Sequence, residues 1–384
     1  MEHGHRIGFP DQAGGPPSST PAGSATGSPG PSLRVRLWII LSLLLLMISG
    51  AIPLLRAADS PVRYEASHRA MGTTFTVVAY GRDSAFLQEV VSQVFQAVDD
   101  LDDQMSNYKP DSELSSINRE AVQHAVIVEP KLFRLIQDSL EYSQQSGGDF
   151  DITVGPLMKS WGFFRGQGRL PSKSELAMVL KRIGYQHIKL DAAARTIRFD
   201  MPGVEIDLGA IAKGYAVDRA VEILRENGIR QALVSSGTSS LYALGSPPGE
   251  HGWEISVRDP LDTTRAACVL RLQDLSLSVS GNYEKFFTLG GKVYAHIMDP
   301  HTGMPVENML STVVVSPSAT DSDALSTSFF VEGPDAALHY LDRHPNLTAV
   351  FFLPETSSRT FRRVTLKSRV NRLPASSFAS IDCH

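Results

Sequence analysis

Apolar residues recur at helical spacing in several stretches of the chain. The periodicity predicts helices over 86–101 and 132–142. A third helix is predicted from about Gly209 to Glu226, where Asn227-Gly228 supplies a C-terminal stop signal. A fourth is predicted near 323–331. Each segment has the one-sided apolar pattern of a helix that packs against a core.

Between these helices, short β-branched and alternating segments predict strands. Turns between consecutive strands are short, which favours antiparallel pairing. The class is therefore α+β with a mostly antiparallel sheet, and not a doubly wound α/β fold. The predicted strands are 73–80, 187–190, 196–199, 232–235, 253–257, 269–272, 275–280, 293–297, 312–315 and 348–353.

The N-terminal part of the chain is different. Residues 1–36 are rich in Gly, Pro and Ser without apolar periodicity, so we expect them to be disordered. Residues 37–55 are uncharged and mostly apolar, which predicts one transmembrane signal-anchor helix. Arg34 and Arg36 precede it and favour a cytoplasmic N-terminus. We therefore expect a single-pass protein of the inner membrane with its folded domain on the periplasmic side.

Composition narrows the function of the remaining chain. The 384 residues carry 36 Lys+Arg against 41 Asp+Glu, a balance that argues against a nucleic-acid partner. Residues 64–368 are predicted to be the folded domain, and 369–384 a C-terminal tail. Cys268 and Cys383 are too few for a disulfide framework, and neither is expected to be structural.

Two polar clusters suggest a phosphate and metal site. Gly209 permits close backbone approach at a predicted helix start, and Lys213 one turn later can add a charge for phosphate. The alternative is an N-cap at Asp207 with a surface lysine. Asp323 and Thr327 are four residues apart, on one helix face, and suit magnesium; a solvated helix start is the alternative. Asp321 and Ser322 are interpreted as capping residues.

Two further clusters suggest a base and a ring pocket. His296 lies at a strand end and is a candidate base near neutral pH, or a histidine that only hydrogen-bonds the following turn. The segment Asp149-Phe150-Asp151, with Trp161 downstream, can line a pocket for a flat heteroaromatic ring. Its alternative is a polar turn before a core tryptophan.

Taken together, seven ordered segments resemble the ApbE family of FAD:protein FMN transferases, from Met71 to about Gly333. The resemblance implies a two-lobed fold related to the T-fold, with FAD between the lobes. It implies Mg2+-dependent transfer of FMN from FAD to a threonine of an acceptor protein, an exported electron-transport subunit, with release of AMP. The segments are MGTTF, MSNYKPDSELSSIN, GGDFDITVGPLMKSWGF, IDLGAIAKGYAVD, VSGNYEKFF, YAHIMDPHTG and DSDALSTSFF.

The resemblance also assigns roles to single residues. His296 would accept the threonine proton, Asp323 is the second catalytic residue, and magnesium would be bound by Asp323, Thr327 and the carbonyl of Ala210. The family pattern differs here at Gly237-Thr238-Ser239 and at Val279, both expected along the nucleotide path. The residues implied to contact FAD are Met71, Tyr108, Asp149, Phe150, Asp151, Asp207, Lys213 and Ile297.

Two other functions fit the same residues. Water in place of threonine would make the protein an FAD pyrophosphatase that yields FMN and AMP. A non-catalytic flavin-binding protein would not require the Asp323–Thr327 pair. The chain has no stretch like Asp-Gly-x-x-Ser-Gly-Ala-Thr, the acceptor sequence that the resemblance implies, so we do not expect it to flavinylate itself.

Overall fold

The computed structural model describes residues 60–166, 168–355, 360–368 and 380–382. The predicted disordered leader and transmembrane helix lie outside these ranges. Within the described ranges, no helix is both long and apolar enough to cross a membrane. The described residues from Ser60 onward belong to one compact unit.

Sixteen strands and eight α-helices make up the described part of the chain. The strands are β1 (Val62–Ala70), β2 (Thr73–Gly81), β3 (Val126–Ile127), β4 (Ile188–Asp191), β5 (Thr196–Phe199), β6 (Ala232–Ser236), β7 (Ser240–Leu244), β8 (Trp253–Arg258), β9 (Ala266–Leu272), β10 (Leu275–Gly281), β11 (Phe286–Leu289), β12 (Lys292–Ala295), β13 (Ser311–Ser316), β14 (Thr348–Pro354), β15 (Phe361–Lys367) and β16 (Ser380–Asp382). The helices are α1 (Ser84–Met105), α2 (Glu113–Glu120), α3 (Pro130–Gln145), α4 (Gly155–Ser160), α5 (Lys173–Leu180), α6 (Ala212–Glu226), α7 (Ala319–Glu332) and α8 (Pro334–Arg343).

The central sheet has eight strands in the order β1-β2-β6-β7-β10-β13-β14-β15. Every neighbouring pair in it is antiparallel. The smaller sheets are β11-β12, β16-β9-β8 and β3-β5-β4. The prediction of an α+β fold with a mostly antiparallel sheet is therefore confirmed.

Strand β10 shows how the two faces of the sheet differ. Its side chains alternate between faces because strand periodicity is two residues. Its apolar residues enter a core with β8 and β9, whereas its serines face α7. The apolar set is Leu275, Leu277 and Val279, and the serine set is Ser276, Ser278 and Ser280.

Helix boundaries follow local capping. α6 ends at Glu226 with Gly228 at φ 76°, as the Asn227-Gly228 signal predicts. It begins at Ala212, three residues later than predicted, because the Asp207 carboxylate accepts a hydrogen bond from the Gly209 N–H and holds a turn there.

The capping roles predicted for Asp321 and Ser322 are wrong. α7 begins at Ala319, and the Ser318 hydroxyl caps it by accepting from the Asp321 N–H. The Asp321 carboxylate instead accepts from the Tyr142 hydroxyl at 2.5 Å, and the Ser322 hydroxyl contacts Ser278 at 2.8 Å. Ser318 lies about one turn upstream of Asp321 and Ser322.

The C-terminal segment is not wholly a tail. Residues Ser380–Asp382 form β16, which pairs antiparallel with β9. Cys268 in β9 is 3% exposed and disulfide-bonded, contrary to the expectation that neither cysteine is structural. The chain's other cysteine, Cys383, lies outside the described residues. Burial in β9 gives Cys268 a structural setting that the count of cysteines did not reveal.

Candidate functional site

The crossing of α6 and α7 places a glycine against an acidic residue. A Cβ on Gly214 would lie 2.1 Å from the Ala319 carbonyl oxygen and 2.6 Å from the Asp323 Cβ, so only glycine allows this approach. At this contact, the Gly214 N–H donates to Asp323 Oδ2 at 2.8 Å. The closeness of the helices thus provides a backbone donor for the carboxylate.

Asp323 is the most deeply buried acid of the predicted site, at 3% exposed. Its Oδ1 accepts from the Ser240 hydroxyl at 2.9 Å, and Lys213 Nζ lies 3.9 Å from its Oδ2. Burial raises the pKa of Asp323, while Lys213 and the Gly214 and Ser240 donors oppose that rise. The Lys213 ammonium also donates to the Gly209 carbonyl at 2.7 Å. Lys213 thus joins the Gly209 turn to α7.

Thr327 lies one turn after Asp323 and faces the same strands. Its hydroxyl is 3.1 Å from the Ser280 hydroxyl on β10, while Asp323 contacts Ser240 on the adjacent β7. Ser240 pairs with Ser278 in the sheet register. Both predicted ligand side chains therefore project from one face of α7 toward neighbouring strands, as the i, i+4 spacing predicted.

Asp218, on α6, holds the start of α7. Its carboxylate accepts from the Ala319 and Thr320 N–H groups, each at 2.8 Å. It also accepts from the hydroxyls of Ser318 at 2.8 Å and Thr320 at 2.7 Å. A carboxylate at a helix N-terminus satisfies free N–H groups and complements the helix dipole. Asp218 was missed in the sequence because the carboxylate and its acceptor helix are about 100 residues apart.

The Asp207 side chain links the Gly209 turn to the loop after α1. Its Oδ1 accepts from the Gly209 N–H at 2.8 Å, and its Oδ2 accepts from the Asn107 amide at 2.9 Å. Tyr108, which follows Asn107 in the chain, is 59% exposed and stacks on Phe164 with ring centroids 4.3 Å apart. Desolvation, reinforced by the Asp207 charge, raises the pKa of Tyr108. An exposed aromatic surface therefore adjoins the polar cluster.

His296 follows β12, and its imidazole is half-buried. Its backbone N–H and its Nδ1 both contact the Lys285 carbonyl, at 3.0 and 3.1 Å. Because a carbonyl oxygen only accepts, Nδ1 carries the hydrogen and Nε2 keeps a free lone pair. Burial, with the positive charges of Lys285 and Lys213, lowers the pKa of His296 to about 4. The ring is neutral at pH 7 and can accept a proton through Nε2.

Glu284 is a candidate site residue that the sequence analysis missed. Burial raises its pKa, the charge of Lys213 opposes that rise, and the charge of Asp323 adds to it. The Thr238 hydroxyl lies 3.4 Å from its carboxylate. Its position in the segment VSGNYEKFF was the available signal, since that segment also resembles the family.

Several residues predicted to contact FAD have side chains committed elsewhere. Phe150 is 1% exposed and packs edge-to-face on Tyr142. The buried Asp151 carboxylate accepts from the N–H and hydroxyl of Thr153 and from the Tyr185 N–H. Ile297 is also buried. These three side chains are packed within the protein, and their contact with FAD stays a prediction.

Asp149 and Met71 are more accessible than the three core residues. Asp149 pairs with His301 at 3.2 Å, and burial raises its pKa while His301 opposes the rise. Met71 occupies the β1–β2 turn at φ 49°, a left-handed conformation that non-glycine residues rarely adopt. Hydrogen bonds and an ion pair link Asp207, Lys213 and Asp323 through the Gly209 turn, whereas Asp149 pairs with His301.

The family departures have different consequences. Val279 is buried in the core with β8 and β9, on the face of β10 opposite the serines, so its side chain lies on the other side of the sheet from Asp323. Gly237-Thr238-Ser239 forms the β6–β7 turn, and its Thr238 contacts Glu284. Only the second departure adjoins the polar cluster.

The donor chemistry of this cluster fits magnesium. Asp323 supplies a carboxylate and Thr327 a hydroxyl, both hard oxygen ligands. Among the residues described, no group of three or more His, Cys, Asp or Glu side chains gathers as a metal site. Zinc would ordinarily need such a set, whereas magnesium takes one or two carboxylates and completes its shell with other oxygens.

Fold and site define an α+β protein in which a lysine lies beside a deeply buried carboxylate, close to an aromatic pair at the surface. A family model described as the ApbE family matches residues 71–352. The chain belongs to the ApbE family.

Relatives and solved structures agree with this assignment. The chain is 30% identical over 323 residues to an FAD:protein FMN transferase of Treponema pallidum, covering 80% of this chain and 89% of that protein. It is 31% identical over 291 residues to one of Klebsiella pneumoniae, covering 75% and 88%. The flavin transferase ApbE from Vibrio cholerae superposes with a TM-score of 0.71 at 25% identity, covering 81% and 99%.

Proposed function

We propose that this protein transfers FMN from FAD to a threonine hydroxyl of an acceptor protein and releases AMP. The observation that carries the proposal is the α6–α7 crossing, where Gly214, Lys213 and Ser240 surround the Asp323 carboxylate. Beside it, Thr327 and the Gly209 turn offer further oxygens and a close backbone approach. A diphosphate requires this combination of positive charge, backbone access and hard oxygen ligands for a cation.

In the proposed reaction, the threonine oxygen attacks the phosphorus of the FMN half of FAD. A P–O bond forms to threonine, the bridging P–O bond breaks, and AMP leaves with the bridging oxygen. The hydroxyl proton goes to Nε2 of His296, whose Nδ1 hydrogen is held by the Lys285 carbonyl. The negative diphosphate would raise the pKa of His296 by offsetting Lys213 and Lys285, which makes the ring a better base when substrate is bound.

Magnesium would be held by the Asp323 carboxylate, the Thr327 hydroxyl and the Ala210 carbonyl. Such an ion neutralises charge that develops on the phosphate oxygens. The protein orients these ligands: Gly214 and Ser240 hold the Asp323 carboxylate. Ser280 holds the Thr327 hydroxyl. Lys213 supplies a point charge for the phosphate.

The decisive test is incubation with FAD, Mg2+ and an acceptor protein carrying the sequence Asp-Gly-x-x-Ser-Gly-Ala-Thr. Transfer predicts a fluorescent acceptor in a denaturing gel and AMP in equal amounts, with neither product when the last threonine is replaced by valine. Free FMN plus AMP without labelled acceptor would support the pyrophosphatase instead. FAD that stays bound and intact would support the non-catalytic alternative.

We further infer that the catalytic domain works outside the cytoplasm, anchored by residues 37–55. The disulfide at Cys268 supports an oxidising compartment, where such bonds persist. Carbonate extraction of membranes should leave the full chain in the pellet, whereas a variant lacking 1–59 should be released. Protease added to spheroplasts should cut the domain; a domain protected until lysis would contradict this location.

A further inference from the structure

An aromatic pair lies next to the polar cluster, formed by the exposed Tyr108 and the half-buried Phe164. Tyr108 and Phe164 lie face to face, with planes 6° apart and centroids at 4.3 Å. Lys159 Nζ lies 5.1 Å from the Phe164 ring centroid. Rings in contact leave no space for a third ring between them, because a sandwich requires about 7 Å, twice a normal contact distance. A flat ligand must therefore stack outside the pair or replace one of its members.

Phe164 is held less firmly than its neighbour. Phe163 packs against the Trp161 cluster and lies 5.3 Å from the Phe287 ring. Phe164 belongs to none of the buried apolar clusters formed by the described residues. Gly162 and Gly166 flank this turn at φ 78° and 65°, where other residues are strained. The Phe164 ring can therefore move without disturbing a core.

We propose that Phe164 is a placeholder for the flavin ring. In the ligand-free protein it covers a face of Tyr108, and the isoalloxazine ring takes its place when flavin binds. The inference rests on the proposed function, because it takes Tyr108 as a contact of FAD. It adds Phe164 as a residue that sets the affinity of the protein for the flavin ring, because Phe164 competes with that ring for Tyr108. Phe164 lies outside the segments that resemble the family.

Stacking of Phe164 on Tyr108 lowers the fraction of protein molecules in which the Tyr108 face is free to bind a flavin ring. The apparent dissociation constant is the intrinsic one divided by that fraction. An aromatic pair of ordinary strength therefore weakens ring binding by about two- to tenfold. Removing Phe164 should tighten flavin binding by this factor, and ligands without a flavin ring should be unaffected.

The test measures the binding of FAD and FMN, by quenching of flavin fluorescence, and of ADP, by calorimetry. Phe164→Ala is expected to lower the Kd for FMN about two- to tenfold and leave the Kd for ADP unchanged. Tyr108→Ala should raise the Kd for FMN. Phe86→Ala on α1, a side chain 43% exposed, is the matched control and should change neither constant.

Four outcomes separate the possibilities. Weaker FMN binding by Phe164→Ala would make Phe164 a wall of the ring site, and an unchanged Kd would make it a bystander; either overturns the inference. A tighter ADP Kd with an unchanged FMN Kd would overturn it too, because adenine would then be the competing ring. A wild-type protein that binds neither FAD, FMN nor ADP would overturn the proposed function itself.

Discussion

The two ends of the candidate site are built in opposite ways. At the Lys213–Asp323 end, a buried carboxylate contacts a backbone donor and a lysine on α6 and a hydroxyl donor on β7. At the Tyr108–Phe164 end, two rings stack at the surface beside glycines. A buried charge is costly without partners, so its surroundings must be complete before ligand arrives. Apolar stacking can be exchanged for similar stacking at little cost, so the ring end can remain adaptable.

The largest expected effect lies at the charged end. Asp323→Ala should abolish FMN transfer, because it removes both the proposed magnesium ligand and the acceptor of the Gly214 N–H. His296→Ala should leave a measurable rate, lowered by about 10²–10⁴-fold, the usual contribution of a general base. Transfer assays over a range of Mg2+ concentrations measure both, and equal residual activities would refute the ranking.

Asp218→Ala should destabilise the protein by about 3 kcal/mol, because it removes charge-assisted hydrogen bonds to the start of α7. The apparent affinity for Mg2+ should fall as well, since α7 carries Asp323 and Thr327. Asp335→Asn in the first turn of α8 is the control, and urea unfolding should show a change below about 1 kcal/mol there. A loss of stability with unchanged Mg2+ dependence would separate Asp218 from the site.

Gly214→Ala tests whether the helix crossing itself creates the charged end. Alanine normally stabilises a helix interior by about 1 kcal/mol relative to glycine. Here the added methyl would meet the Ala319 carbonyl at 2.1 Å, and overpacking should produce a net loss of about 1–3 kcal/mol. Thermal unfolding measures this, with the difference between Glu222→Ala and Glu222→Gly, at an exposed position of the same helix, as the control for propensity. A stabilised variant would show that the helices can separate freely.

The smallest expected effect concerns Glu332, whose carboxyl group belongs to neither the Lys213–Asp323 end nor the Tyr108–Phe164 end of the site. Burial and the nearby Asp149 raise the pKa of Glu332 to about 7. Between pH 4.5 and 7 the folded protein therefore holds a proton that the unfolded chain releases, so this group lowers stability as pH rises, by at most about 3 kcal/mol. Glu332→Gln should reduce that decline in urea titrations across the window. Glu89→Gln on the exposed face of α1 should leave it unchanged.

Local signals in the sequence anticipated a large part of this structure. The Asn227-Gly228 stop, the alternation of β10 and the i, i+4 spacing of Asp323 and Thr327 all act within a few residues. Such patterns depend on backbone geometry alone, so they predicted element type and side-chain face. They did not identify the N-cap of α7, which is the uncharged Ser318.

Contacts between distant segments were beyond the reach of those signals. No local pattern assigned a role to Asp218, Glu284 or Phe164. Their roles depend on which segment packs opposite each of them: the start of α7, Lys213 and Tyr108 respectively.

The sequence by itself determined the fold class, the family and the oxygen-rich pair on α7. Only the tertiary structure decided which acids are buried and paired, and which aromatic ring remains exposed. Hydrogen-bond partners and desolvation arise from chain segments brought together by folding, whereas propensity and periodicity are carried by neighbouring residues.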